Sequence, residues 1–116
     1  MTVGINEDMQ RCIEICNECS DICLNTLTQH CLNMGGKHVE AEHVCAMLDC
    51  VDICETAARF MLRGSDVHAD ICAACAKVCE RCAESCERFD DTPMRACADI
   101  CRRCADSCLD MAGVTA

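Results

Sequence analysis

The chain has 116 residues, a net charge of −10, 17 cysteines and neither Trp nor Tyr. That length suits one domain rather than two, the acidic balance excludes nucleic acid as a partner, and no apolar run is long enough to span a membrane. The odd cysteine count argues against a closed disulfide framework, and the N-terminal MTVGINEDMQ has neither the basic nor the apolar region of an export signal. A cytoplasmic, thiol-reducing setting is therefore expected.

Helical periodicity runs through almost the whole chain. It predicts an all-α protein, an antiparallel up-down-up-down four-helix bundle with a Cys-lined core, with helices over about 7–34, 40–63, 66–88 and 93–112. In the first helix, Asn6 is the expected cap, followed by the acidic Glu7 and Asp8. Its stripe is Met9, Cys12, Cys16, Cys19, Cys23, Leu27 and Cys31, at steps of 3 and 4, and Gly35-Gly36 ends it. The second helix carries His43, Met47, Cys50, Cys54, Ala57 and Met61 on one stripe, with Cys45 off it. Gly64 suits the position after its last turn, and Ser65 is the expected cap of the third helix. That helix holds the most regular ladder, Cys72, Cys75, Cys79, Cys82 and Cys86, with His68 one step before and Phe89 one step after. Thr92-Pro93 is the expected cap and first residue of the fourth helix. Its stripe is Met94, Cys97, Cys101, Cys104, Cys108 and Met111.

Short loops make neighbouring helices antiparallel, so the stripes align by level. One layer combines Cys16, Cys54, Cys75 and Cys104. The next combines Cys19, Cys50, Cys79 and Cys101. On one side lie Cys12, Ala57, Cys72 and Cys108; on the other, Cys23, Met47, Cys82 and Cys97. The expected core is a tube of thiols.

A core built only for stability would use leucine, which buries more apolar surface than cysteine. Soft thiolates select Cu(I), Zn(II) and iron–sulfur clusters. Charge favours Cu(I), because about one monovalent ion per thiolate neutralises the core, whereas four thiolates on Zn(II) leave −2 per site in a dry interior. Adjacent thiols on a helix then form overlapping two-sulfur sites. The ferredoxin spacing is absent. The CxxC pairs Cys16/Cys19, Cys72/Cys75, Cys79/Cys82 and Cys101/Cys104 lack the βαβ setting of thioredoxin-like chemistry. Glu40-x-x-His43 lacks the partner glutamates of a di-iron bundle. All seventeen cysteines, Cys31 and Cys45 included, are candidate ligands. Met9, Met61, His68 and Met111 are expected to line the mouth that admits metal, with His43, Met47 and Met94 as the alternative mouth. His30 and His38 are expected to be solvated. A zinc or mixed-metal reservoir and a thiol redox buffer are the rival readings.

These ladders, CxxCxxxCxxCxxxC over Cys72–Cys86 and CxxxCxxCxxxC over Cys12–Cys23 and Cys97–Cys108, resemble the cytosolic branch of the bacterial copper storage proteins. The resemblance covers residues 7–111 and implies a non-enzymatic bundle storing many Cu(I) ions, roughly one per Cys, filled from one end. It also implies a homotetramer, with a copper donor or acceptor that is a protein or a small thiol. Helix two departs from the pattern, with only Cys45, Cys50 and Cys54. Ile15 and Ile22, off the stripe, mark either a contact between chains or packing between helices.

Overall fold

The structure is a computed structural model that describes residues 2–113. Among these residues there are four long helices and no strand. Helix α1 begins as Glu7–Thr26, passes through a π-helical segment, Leu27–Cys31, and closes with one more turn, Leu32–Met34. A 3-10 turn, Gly36–Val39, leads to α2 (Ala41–Leu62), which is followed by α3 (His68–Cys86) and α4 (Thr92–Met111). Each helix packs on its neighbours in the chain, and α1 packs on α4, closing an up-down-up-down ring. The bundle measures 45 × 29 × 21 Å.

Local chemistry explains most of the boundaries. Asn6 Oδ1 accepts a hydrogen bond from Met9 N–H at 2.8 Å, as its capping role requires. Gly35 and Gly64 both stand at positive φ, 66° and 64°, where a Cβ would be strained. At Gly64 the Ser65 N–H bonds Phe60 O and the Gly64 N–H bonds Met61 O, each at 3.0 Å. This paired Schellman closure satisfies two otherwise orphaned carbonyls at the end of α2.

Two caps differ from expectation. Ser65 does not cap α3: its Oγ accepts from Val67 N–H at 3.2 Å, and the helix starts at His68. The reversal of direction uses one more turn of chain before helical geometry resumes. At α4 the cap is Asp91 rather than Thr92, with Asp91 Oδ1 accepting from Met94 N–H at 3.0 Å. A carboxylate at the positive helix end binds that N–H more strongly than a hydroxyl, so Thr92 becomes the first helical residue.

The π segment has a geometric cause. Cys23, Leu27 and Cys31 follow one another by two successive steps of four. In a regular helix those eight residues would swing Cys31 roughly 80° off the stripe. The wider π turn absorbs the excess. Leu27 and Cys31 both point inward, at 4% and 0% exposure. Ile15 and Ile22 are half-buried against the same core. Ser20 Oγ donates to Val51 O at 3.0 Å and ties α1 to α2 through a buried polar contact.

Candidate metal centre

Sixteen of the seventeen cysteines are buried, and none forms a disulfide. The sulfurs of eleven of them, from Cys108 to Cys97, make one continuous chain along the bundle axis. Cys16 Sγ is 3.6 Å from Cys108 and 3.7 Å from Cys104. Cys54 lies 3.7 Å from Cys104, 3.8 Å from Cys75 and 3.5 Å from Cys79. Cys50 continues to Cys79 at 3.8 Å, to Cys19 at 3.7 Å and to Cys101 at 3.9 Å. Cys23 follows, 3.6 Å from Cys101 and 3.4 Å from Cys97. The two central layers thus join the thiols aligned from the sequence, and diagonal contacts such as Cys54–Cys79 link one layer to the next.

These separations are informative. A disulfide needs about 2.05 Å. Sulfurs sharing one ion at about 2.3 Å lie roughly 3.8–4.0 Å apart in trigonal or tetrahedral geometry. The tube is therefore spaced for shared metal ligation without backbone movement. Four overlapping groups of four sulfurs fall within 4.8 Å of one another, among them Cys16/Cys75/Cys104/Cys108 and Cys19/Cys23/Cys50/Cys101. Overlap means that most central thiols belong to more than one potential site.

The thiols do not titrate alike. Cys54 is pushed up by hydrogen bonding to Cys104 and Cys19, and Cys101 by hydrogen bonding to Cys19 and Cys23, with burial adding in both. Cys12, near one end, is drawn down to about 4 by the thiols of Cys108 and Cys16. At the opposite end Cys31 is pushed up to about 11, mainly by burial. A raised thiol holds its proton at neutral pH, so a metal ion must displace that proton to bind.

The two ends of the tube differ. At the α2–α3 turn Met61 is buried while Met9, Met111 and His68 are half-buried. His68 Nδ1 lies 2.9 Å from Ser65 O, and among the described residues no hydrogen bond joins it to Met9, Met61 or Met111. At the other end soft ligands converge. Cys31 Sγ is 3.7 Å from His43 Nε2, 3.6 Å from Met94 Sδ and 3.9 Å from Met47 Sδ. All four side chains are 0% exposed. Met47 thus meets Cys31, two steps along the α1 stripe from Cys23, its expected layer partner. His43 Nδ1 is 2.7 Å from Ser85 Oγ, which turns Nε2 toward the sulfurs. Burial, and then the charge of Arg88, lower the His43 pKa and favour the neutral imidazole, the form that binds metal.

Two placements depart from the sequence reading. Cys45 is exposed on the outer face of α2 and is the one thiol outside the tube. It stands five residues before Cys50, and a step of five leaves a stripe that advances by three and four. His30 and His38 are not simply solvated. Their Nε2 atoms lie 3.1 and 2.8 Å from the two carboxylate oxygens of Asp91. The π segment of α1, the 3-10 turn and the cap of α4 bring these three together, and no spacing in the sequence announces it.

A family model described as copper storage protein matches residues 5–113. The chain belongs to the copper storage protein family. Its fold is also that of solved structures. The protein Nmul_A1745 from Nitrosospira multiformis is 44% identical, with a TM-score of 0.89 over 94% of this chain and 98% of that one. The Cu(I)-bound copper storage protein BsCsp3 is 34% identical, with a TM-score of 0.85 over 91% and 99% of the two chains. The copper storage protein Ccsp from Streptomyces lividans, loaded with 10 copper equivalents, is 28% identical, with a TM-score of 0.80 over 97% and 90%. No match is found among curated proteins. Membership of the family agrees with the sulfur lining of the core. Among the described residues no helix is long and apolar enough to cross a membrane.

Proposed function

We propose that this protein stores and sequesters Cu(I) on the thiolates of its core, about one ion per buried thiol, without any catalytic step. The single observation that carries the reading is the unbroken run of sulfur contacts from Cys108 to Cys97 at 3.4–3.9 Å. Thiolates that bridge two Cu(I) ions use such a run as one extended site. Relatives described as Cu(I)-bound and copper-loaded support the choice of metal.

The ligands assigned are the sixteen buried cysteines. Cys45 is left out because its sulfur faces solvent. The mouth assigned is the end holding Cys31, His43, Met47 and Met94, since their ligand atoms converge there. Met9, Met61, His68 and Met111 are assigned to closing the far end. A cytoplasmic setting, a homotetrameric assembly and a small thiol or protein as copper donor belong to the same reading.

Titration of the reduced protein with Cu(I) and with Zn(II), each against a competing chelator, tests it. Tight, colourless uptake of more than about ten Cu(I) per chain is expected. Saturation near four Zn(II) with weak copper binding would sink the proposal in favour of a zinc reservoir. Clean pairwise oxidation of the core thiols without metal would favour a redox buffer instead.

A further inference from the structure

We propose that His30, His38 and Asp91 form a second cation site, outside the thiol tube, for a borderline divalent ion such as Zn(II). The three residues come from three separate elements at one end of the bundle: the π segment of α1, the 3-10 turn and the cap of α4. His30 Nε2 is 3.1 Å from Asp91 Oδ1, His38 Nε2 is 2.8 Å from Asp91 Oδ2, and all the ligand atoms lie within 4.8 Å of one another. Ligands around a tetrahedral ion at about 2.0–2.1 Å stand roughly 3.3 Å apart. The His30 contact is close to that value and the His38 contact is about half an ångström shorter, so His38 must draw back slightly to share an ion.

The rings have little freedom to leave. His38 lies against Phe89 with ring centroids 4.2 Å apart and meets His30 edge-on at 5.3 Å. The carboxylate is pinned as well, because Oδ1 also accepts from Met94 N–H. Oδ2, which has no such second partner among the described residues, keeps a lone pair for an ion. The side chains are 22%, 12% and 28% exposed, so an ion can arrive from solvent and keep water as its remaining ligand. Two imidazoles and a carboxylate suit Zn(II), Co(II), Ni(II) or Cu(II), whereas Cu(I) prefers the sulfurs a few residues away. The weak positive pole of α4 opposes a cation here, and the Asp91 charge offsets it. The same end of the molecule thus offers a harder ligand set at its rim and a soft one inside.

The proposal does not depend on copper storage, and its test separates the two. Co(II) serves as the probe, added to protein whose thiols have first been filled with Cu(I). One Co(II) per chain is expected, with weak d–d bands and no sulfur-to-cobalt charge-transfer absorption, displaceable by Zn(II). His38→Ala and His30→Ala should each weaken binding by about tenfold or more, with Cu(I) capacity unchanged. The ring resonances of His30 and His38 should broaden with the paramagnetic ion in the copper-free protein too, which keeps the test valid if copper does not load. Absence of Co(II) binding, or thiolate charge transfer that persists in both histidine variants, overturns the proposal.

Discussion

At the scale of single residues, the tube's mouth depends on how one imidazole is held. His43 is 0% exposed, and Ser85 Oγ at 2.7 Å is the hydrogen-bonding partner of its Nδ1. A hydroxyl that accepts from Nδ1–H fixes the tautomer in which Nε2 carries the free lone pair facing Cys31. Ser85→Ala should therefore weaken capture of the first Cu(I) equivalents by about tenfold while leaving total capacity unchanged. Ser85→Thr, which keeps the hydroxyl, should restore capture. A competition titration confined to the first one or two equivalents measures both. Equal loss in the Thr and Ala variants would show that the hydroxyl has no orienting role. The ladder of cysteines was legible from spacing alone, because steps of three and four are a property of neighbouring residues. The grouping of His43, Met47 and Met94 at one mouth was legible too, but their direct contact with Cys31 was not, since it depends on how far each long side chain reaches. His30, His38 and Asp91 were still less so, being separated by loops whose path the sequence does not encode as a period.

At the scale of elements, the bundle was readable where apolar and thiol residues repeat, and misread where capping chemistry decides. Asp91 outcompetes Thr92 as a cap because a carboxylate at a helix N-terminus gains from both the N–H and the dipole. It also anchors His30 from the π segment of α1 and His38 from the 3-10 turn, so one side chain ties three elements together. Asn6 caps α1 and no more. In copper-free protein, Asp91→Ala should cost about 2 kcal/mol and Asn6→Ala about 1 kcal/mol. Denaturant midpoints at unchanged slope report the difference. Equal losses would mean that the histidine contacts add nothing to the cap. The π segment belongs to this scale too. It corrects the phase of a stripe that two steps of four had thrown off, and in doing so it delivers Cys31 to the axis and His30 to the rim.

At the scale of the whole molecule, charge decides what the core can hold. The chain already carries −10, and sixteen thiols are buried in a bundle whose narrowest extent is 21 Å. Thiolates made there without cations would carry a prohibitive desolvation cost. When one Cu(I) replaces one thiol proton, the net charge of the molecule does not change. When one Zn(II) replaces four thiol protons, it falls by two. Raised thiols such as Cys54 and Cys101 hold their protons until metal displaces them, so affinity should fall as pH drops, by about tenfold per unit for each proton released. Full loading with Cu(I) at neutral pH should therefore release nearly one proton per ion, the shortfall coming from thiols already lowered, as Cys12 is, and leave electrophoretic mobility in a native gel almost unchanged. Loading with Zn(II) should shift the band toward the anode by about two charges per ion bound. The copper-loaded form should also melt at higher temperature, because metal–sulfur bonds join helices whose core otherwise lacks hydrocarbon. Mobility that moves strongly with Cu(I), or fewer than about half a proton released per ion, would mean that copper sits on thiolates already charged in the empty protein, and the neutral-exchange account of storage would have to be abandoned.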